Sequence, residues 1–97
     1  MYSAQGADRQ KPQFATEVHC RFAVTAALEP SVILRVMEMF AQRDLIPDRF
    51  NCRRTGGPEP ALHIEVCVAG LDRQQAEHLA LRMRNIMPVT SVMLDWD

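Results

Sequence analysis

Two kinds of apolar periodicity alternate along the chain, and their order is the feature that most constrains the fold. From Glu17 onward, apolar residues occupy every second position: Val18, Cys20, Phe22 and Val24. The same period of two recurs, more weakly, in residues 48–54, and again in residues 61–70 and 89–96. This alternation predicts four strands with one buried face each. The intervening text TGGPEP is the strongest turn signal in the chain, so the second and third strands should form a hairpin.

The first predicted helix lies between the first two strands. Pro30 is suited to a helix entrance, Ser31 is the predicted N-cap, and the helix is expected to end at Asp44, since Pro47 prevents its continuation. Its predicted buried face comprises Ile33, Val36, Met37 and Phe40. Further apolar residues lie outside that face: Val32, Leu34 and Met39. The apolar surface therefore exceeds one sheet contact, which fits either a partner subunit or a small core wrapped around the helix.

The second predicted helix has a clear start. Asp72 is the predicted N-cap, and Gln75 stands three residues later in a capping-box arrangement. Pro88 is expected to end this helix. The resulting order, strand-helix-strand-strand-helix-strand, predicts an α+β protein with the ferredoxin-like βαββαβ arrangement: a four-stranded antiparallel sheet with two helices on one face. Val92, Leu94 and Trp96 are the expected core side chains of the last strand.

Length and composition limit the number of domains. With 97 residues, 47% hydrophobic and 24% charged, the chain suffices for one domain, which we place at residues 16–97 after a flexible N-terminal leader at 1–15. No apolar run is long enough to span a membrane, and the first residues lack the order of a signal peptide, so we expect a cytoplasmic protein without membrane contact. Cys20, Cys52 and Cys67 show no CxxC spacing and are expected to be buried as small hydrophobic side chains.

The face of the sheet opposite the helices should be polar, because most residues there are charged or hydrogen-bonding: Glu17, His19, Arg21, Arg49, Asn51, Arg53, His63, Glu65, Ser91 and Asp95. Nucleic-acid binding is not expected, because Phe22 and Phe50 point toward the core and the net charge is -1. One alternative is a metal site. With the first and third strands expected to be parallel neighbours, His19 and His63 would both lie near the strand starts, with Glu17 and Glu65 close by.

Catalysis is not expected from this sequence. It contains no phosphate-binding glycine motif and no recognisable Ser, His and Asp arrangement. Gly56 and Gly57 lie between strands and not at a helix N-terminus, and His78 falls on the polar face of the second helix. We therefore predict a non-enzyme that needs no cofactor.

Residues 29–50, EPSVILRVMEMFAQRDLIPDRF, resemble the ACT domain family. They are most similar to the regulatory small subunit of acetolactate synthase, whose text is close to "SGALSRVxxLFSQRGYNI". The matching positions are Arg35, Val36, Phe40, Gln42 and Arg43.

This resemblance implies a regulatory, non-catalytic domain of branched-chain amino acid biosynthesis that forms a homodimer through one continuous sheet and docks on a larger catalytic subunit. It also implies an amino-acid effector at the dimer interface, bound between Pro30, Ser31 and Val32 of one subunit and Leu45 and Ile46 of the other. The chain has Ser31 where the family has glycine and Ile46 where it has asparagine, so we expect branched-chain amino acids to bind weakly. The alternative function is a stand-alone small-molecule or metal sensor.

Overall fold

The computed structural model describes residues 19–96, whose elements follow the predicted order. They are β1 (His19–Ala26), α1 (Pro30–Ala41), β2 (Arg49–Arg54), β3 (Leu62–Ala69), α2 (Arg73–Arg84) and β4 (Val89–Trp96). The strands form one sheet in the order β2-β3-β1-β4, with every neighbouring pair antiparallel. The ferredoxin-like α+β fold is confirmed. The predicted leader at 1–15, together with Glu17 and Val18, lies outside the described residues.

The core lies between the sheet and the helices. Phe22, Val24, Ile64 and Val66 of the central strands are fully buried, as the alternation of side chains along a strand requires. In β4 only Val92 is fully buried, whereas Leu94 and Trp96 are partly buried and pack against the core. The edge strands are therefore less well covered than the central ones.

Helix α1 differs from its prediction at both ends and on its faces. Pro30 is the first helical residue, so the N-cap is Glu29, and the prediction of Ser31 as cap is wrong. Proline fits the first helical position because its missing N–H would have no partner there. The helix ends at Ala41, before the predicted Asp44, which adopts the left-handed conformation with φ of 57°.

The buried face of α1 is the stripe of Val32, Val36 and Phe40, residues four apart that lie one above the other on a helix. The predicted face was partly wrong, because Val32 is buried and Met37 is 48% exposed. Leu34 is 65% exposed. The surplus of apolar surface on α1 is therefore present, on a different set of residues.

Helix α2 confirms its predicted start. The Gln75 backbone N–H donates to the Asp72 carboxylate at 2.7 Å, and the Asp72 N–H donates to the Gln75 side-chain oxygen at 3.1 Å. The helix ends at Arg84 with Asn85 as C-cap, so it stops before Pro88, the predicted end. Neither helix of residues 19–96 is long and apolar enough to cross a membrane.

Candidate interface at the β2 edge

Strand β2 forms one edge of the sheet, and no strand among residues 19–96 pairs with its outer side. Five of its six residues are exposed, and Phe50 alone is partly buried. Within residues 19–96, no side chain donates a hydrogen bond to the backbone of β2. An uncovered edge strand presents free N–H and C=O groups to which another strand can add. The β2 edge is therefore a candidate interface.

The opposite edge, β4, is partly occupied by side chains of α2. The guanidinium of Arg84 donates to the Val92 carbonyl at 2.9 Å. That of Arg73 lies over the Trp96 ring, 5.0 Å from its centroid. These contacts place cationic side chains beside β4, which hinders the addition of a further strand.

An apolar depression between α1 and β2, the C-terminal groove, has a volume of about 240 Å³ and lies where α1 ends. It is lined by Met37, Phe40, Ala41, Leu45, Ile46, Pro47 and Phe50. Ile46 at its rim is 87% exposed, the largest exposure of any large apolar side chain among the described residues. Together with Met37, which is 48% exposed, it leaves apolar surface open to solvent beside the β2 edge.

The N-terminal groove has a volume of about 310 Å³ and lies where α1 begins. Its lining includes charged side chains as well as apolar ones: Leu28, Glu29, Pro30, Ile33, Arg54 and Leu62. The two grooves therefore lie at opposite ends of α1, each beside one end of β2.

The predicted effector residues divide between these two ends. Pro30 and Ser31 are exposed at the start of α1, whereas Leu45 and Ile46 lie in the loop that follows it. Because a helix rises about 1.5 Å per residue, a 12-residue helix separates the two groups by about 18 Å. One chain alone does not bring them together.

Neither the side chain nor the backbone N–H of Val32 is available to a ligand. Its side chain is fully buried, and its N–H donates to the Glu29 carbonyl at 3.0 Å. Glu29 and Arg54, by contrast, were missed by the sequence analysis although both line the N-terminal groove. The alternation of side chains along β2 places Arg54 on the helix side of the sheet, and this alternation could have identified it from the sequence.

Arg21 forms two ion pairs on the polar face of the sheet. Its guanidinium contacts the Asp95 carboxylate at 2.6 Å and the Glu65 carboxylate at 3.6 Å. His19 lies 3.6 Å from Asp48, which precedes β2. The ion pairs of Arg21 are partly exposed, and such pairs contribute little to stability.

The proposed metal site is wrong, because β1 and β3 are antiparallel. His19 pairs with Ala69 at one end of the two strands, and His63 pairs with Thr25 at the other. Six residues at about 3.4 Å each put the two histidines about 20 Å apart along the sheet. Within residues 19–96, no group of three or more His, Cys, Asp or Glu side chains is placed to hold a metal ion.

The cysteines differ in exposure. Cys20 is buried, Cys67 is partly buried and Cys52 is exposed. Burial raises the pKa of the Cys20 thiol to about 11, with a smaller contribution from Cys67. The predicted burial is confirmed for Cys20 and wrong for Cys52.

A family model for the ACT-like domain matches residues 13–96, nearly the whole chain. The chain belongs to the ACT-like domain family. No curated protein sequence matches it. The similarity to the acetolactate synthase small subunit therefore rests on the short segment around α1.

Solved structures of other proteins share the fold. The ACT domain of the GTP pyrophosphokinase of Chlorobium tepidum superposes with a TM-score of 0.66 at 8% identity, over 81% of this chain and 99% of that one. The regulatory subunit of aspartate kinase from Thermus flavus gives 0.63 at 15% identity, over 82% of this chain and 56% of that one. The C-terminal domain of the MgtC protein from Mycobacterium tuberculosis gives 0.61 at 13% identity, over 84% and 88% of the two chains.

The residues that carry the ACT resemblance serve to build α1. Val36 and Phe40 are buried, and Gln42 is the C-cap. The Arg35 guanidinium donates to the Met87 carbonyl at 3.1 Å, and that of Arg43 donates to the Met39 carbonyl at 3.0 Å. These positions therefore contribute to the core, the C-terminal end and the hydrogen bonds of α1.

Proposed function

We propose that this ACT-type domain is a regulatory module that works as a homodimer joined along β2 and the adjacent side of α1. The observation that carries the proposal is the pairing of an uncovered strand edge with exposed apolar side chains beside it. Ile46 and Met37 line the groove next to that edge, at 87% and 48% exposure. A second copy would cover both features at once.

A two-fold axis perpendicular to the sheet would place the copies side by side with all helices on one face. The β2 strands would then run antiparallel, so the end of β2 in one copy meets its start in the other. The start of β2 adjoins the C-terminal groove, and Arg54 at its end lines the N-terminal groove. The dimer would therefore bring Pro30 and Ser31 of one copy close to Leu45 and Ile46 of the other.

This arrangement supports an effector site at the seam between the copies. The effector class implied by the family resemblance is an amino acid. Beside the apolar groove residues, the seam offers the Ser31 hydroxyl, the Glu29 carboxylate and the Arg54 guanidinium. Binding there would couple effector concentration to the association of the two copies, because a ligand held by both stabilises the dimer by mass action.

The partner of the dimer would be a larger metabolic enzyme. The acetolactate synthase catalytic subunit is the specific candidate, supported by the α1 segment, with Arg35, Phe40 and Arg43 among its matching positions. Regulation of a separate enzyme also fits a chain in which we recognise no catalytic constellation among residues 19–96. The second candidate function is a stand-alone sensor that binds a small molecule at the same seam.

Sedimentation equilibrium over micromolar concentrations tests the dimer. A mass twice that of the chain supports the proposal, and a monomer at every concentration overturns it.

Co-expression with a thiamine-dependent large subunit, followed by capture through a tag on this chain, distinguishes the two functions. Joint elution in a fixed ratio supports docking, whereas a thermal shift with an amino acid and no joint elution supports the stand-alone sensor.

A further inference from the structure

The backbone of β2 has a defined orientation at the free edge. The Thr55 N–H donates at 2.8 Å to the carbonyl of Ala61, which lies directly opposite it in the continued β2–β3 register. Backbone groups in an antiparallel ladder alternate between the two sides of a strand. Residues 49, 51 and 53 therefore direct their N–H and C=O groups toward β3. Phe50, Cys52 and Arg54 direct theirs outward, where a second strand would bind.

Side-chain parity restricts how a second β2 can add. For the helices of both copies to share a face, residues that lie opposite one another must be both even-numbered or both odd-numbered. If at least three residues of each β2 are to be paired, this condition leaves four registers, centred on Phe50, Asn51, Cys52 or Arg53. Only those centred on Asn51 and Cys52 pair five strand residues of each copy, because β2 runs only from Arg49 to Arg54.

The arginines distinguish these two registers. With Asn51 at the centre, Arg49 of each copy lies directly opposite Arg53 of the other, in the pair type whose Cα atoms are only about 4.5 Å apart. Like charges directly opposite one another destabilise a strand pair. With Cys52 at the centre, Arg53 lies opposite Asn51, and no two arginines are directly opposed.

We infer that two copies pair along β2 with Cys52 of each directly opposite Cys52 of the other, on the two-fold axis. This inference rests on the proposed homodimer and specifies its register. It places Arg54 opposite Phe50 of the second copy, where a guanidinium can lie over an aromatic ring. Since Phe50 lines the C-terminal groove and Arg54 the N-terminal groove, the same register joins the two grooves across the seam.

The register has a direct chemical consequence. Opposite residues in a hydrogen-bonded antiparallel pair have Cα atoms about 5.5 Å apart, within the 4.4–6.8 Å over which a disulfide forms. Cys52 is exposed, whereas Cys20 is buried and Cys67 partly buried. Oxidation by copper phenanthroline, which takes one electron and one proton from each thiol, should therefore link the two Cys52 side chains.

A cysteine scan along β2 tests the register. The wild type is compared with Cys52→Ser and with three variants that carry one new cysteine in the Cys52→Ser background: Phe50→Cys, Asn51→Cys and Arg53→Cys. Each new cysteine lies on the axis of one alternative register. The covalent dimer is followed on non-reducing gels, with first-order, concentration-independent formation as the mark of linkage within an existing dimer.

The wild type should cross-link about ten-fold faster than any of the scan variants, because only Cys52 lies within disulfide distance of its own copy. Cys52→Ser alone should not cross-link, and Cys67→Ser should behave as the wild type. Faster linkage of Asn51→Cys, Phe50→Cys or Arg53→Cys overturns the inference and identifies the true register. Sedimentation equilibrium of each reduced variant distinguishes a wrong register from a wrong oligomeric state. A dimer without Cys52 linkage contradicts only the register, and a monomer contradicts the proposed function as well.

Discussion

Phe22 of β1 and Phe40 of α1 pack edge to face, with ring centroids 5.5 Å apart and ring planes inclined at 74°. Both side chains are almost fully buried. This pair links the central strand to the C-terminal half of α1, directly beneath the C-terminal groove. The position of α1 relative to β2, and so the shape of the candidate interface, depends on this contact.

The Phe22–Phe40 contact should therefore be measurable as a coupling. Edge-to-face aromatic pairs contribute about 0.5–1.5 kcal/mol beyond the area they bury. We expect a double-mutant cycle of Phe22→Leu and Phe40→Leu, measured by urea unfolding, to give a coupling energy in this range. The cycle of Phe22→Leu with Leu81→Ala, which is 56% exposed on α2, is the control and should be additive. A coupling as small as in the control would contradict the prediction.

The capping box of α2 should contribute to stability through its first turn. Asp72→Ala leaves the Gln75 N–H without its acceptor, and loss of an N-cap costs about 0.5–2 kcal/mol. Ser31→Ala should have almost no effect, because Ser31 is not the N-cap of α1. Thermal and urea unfolding of the two variants distinguish these outcomes, and equal destabilisation would show that the capping contact is unimportant.

The two helix starts illustrate what local sequence can and cannot determine. The Asp72 and Gln75 pair is a complete local motif, so its geometry followed from the residue types alone. Pro30 and Ser31 allowed two assignments, and the one in which proline itself is the first helical residue is correct. The residue types alone did not determine whether Ser31 caps the helix or lies inside its first turn.

The candidate interface was only partly predictable for a different reason. Alternation in β2 placed Phe50 and Cys52 on the helix side, but it contains no information on how far α1 extends over that side. Cys52 is exposed because of this tertiary placement. The metal-site alternative failed for another reason: it needed β1 and β3 to be parallel, whereas the predicted antiparallel sheet already implied that they run in opposite directions.

The raised pKa of Cys20 should make stability depend on alkaline pH. In the folded protein this pKa is about 11, compared with an ordinary value of 9.0 for a cysteine thiol. The unfolded chain therefore loses this proton first, so the folded state binds more protons between these values. The free energy of unfolding should fall as pH rises from about 9 to about 11, at up to about 1.4 kcal/mol per pH unit.

Urea unfolding of the wild type and of Cys20→Ala across this pH range checks the effect. The variant begins less stable, since it loses a buried sulfur, but its decline with pH should be shallower. Cys52→Ser is the matched control, because the thiol it removes is exposed, and it should follow the wild-type slope. Identical slopes for all three proteins would contradict the assignment to Cys20.

Disruption of the seam should separate association from folding. Ile46→Glu places a charge at a side chain that is 87% exposed in one chain and buried in the proposed dimer. We expect the dissociation constant to rise at least about ten-fold, equivalent to about 1.4 kcal/mol, with little change in circular dichroism. Leu81→Glu on α2 serves as the control outside the seam and should leave association unchanged. Equal dimerisation of both variants would exclude Ile46 from the interface.

Valine, leucine and isoleucine should bind the dimer weakly or not at all. A bound amino acid needs partners for its carboxylate and ammonium, and each unpaired group costs about 1–3 kcal/mol. Ile46 offers no hydrogen bond where the family has asparagine, and Ser31 adds a side chain where the family has glycine. Glu29, whose side chain makes no capping hydrogen bond, adds a carboxylate at the start of α1, which can pair with a ligand ammonium but repels a ligand carboxylate. Isothermal titration should therefore show no micromolar binding to the wild type.

The double variant Ser31→Gly, Ile46→Asn should gain at least about ten-fold in affinity, equivalent to about 1.4 kcal/mol, because it restores the close backbone approach and the carboxamide. Micromolar binding by the wild type would refute the prediction, and an unchanged double variant would show that Glu29 or the seam itself prevents binding.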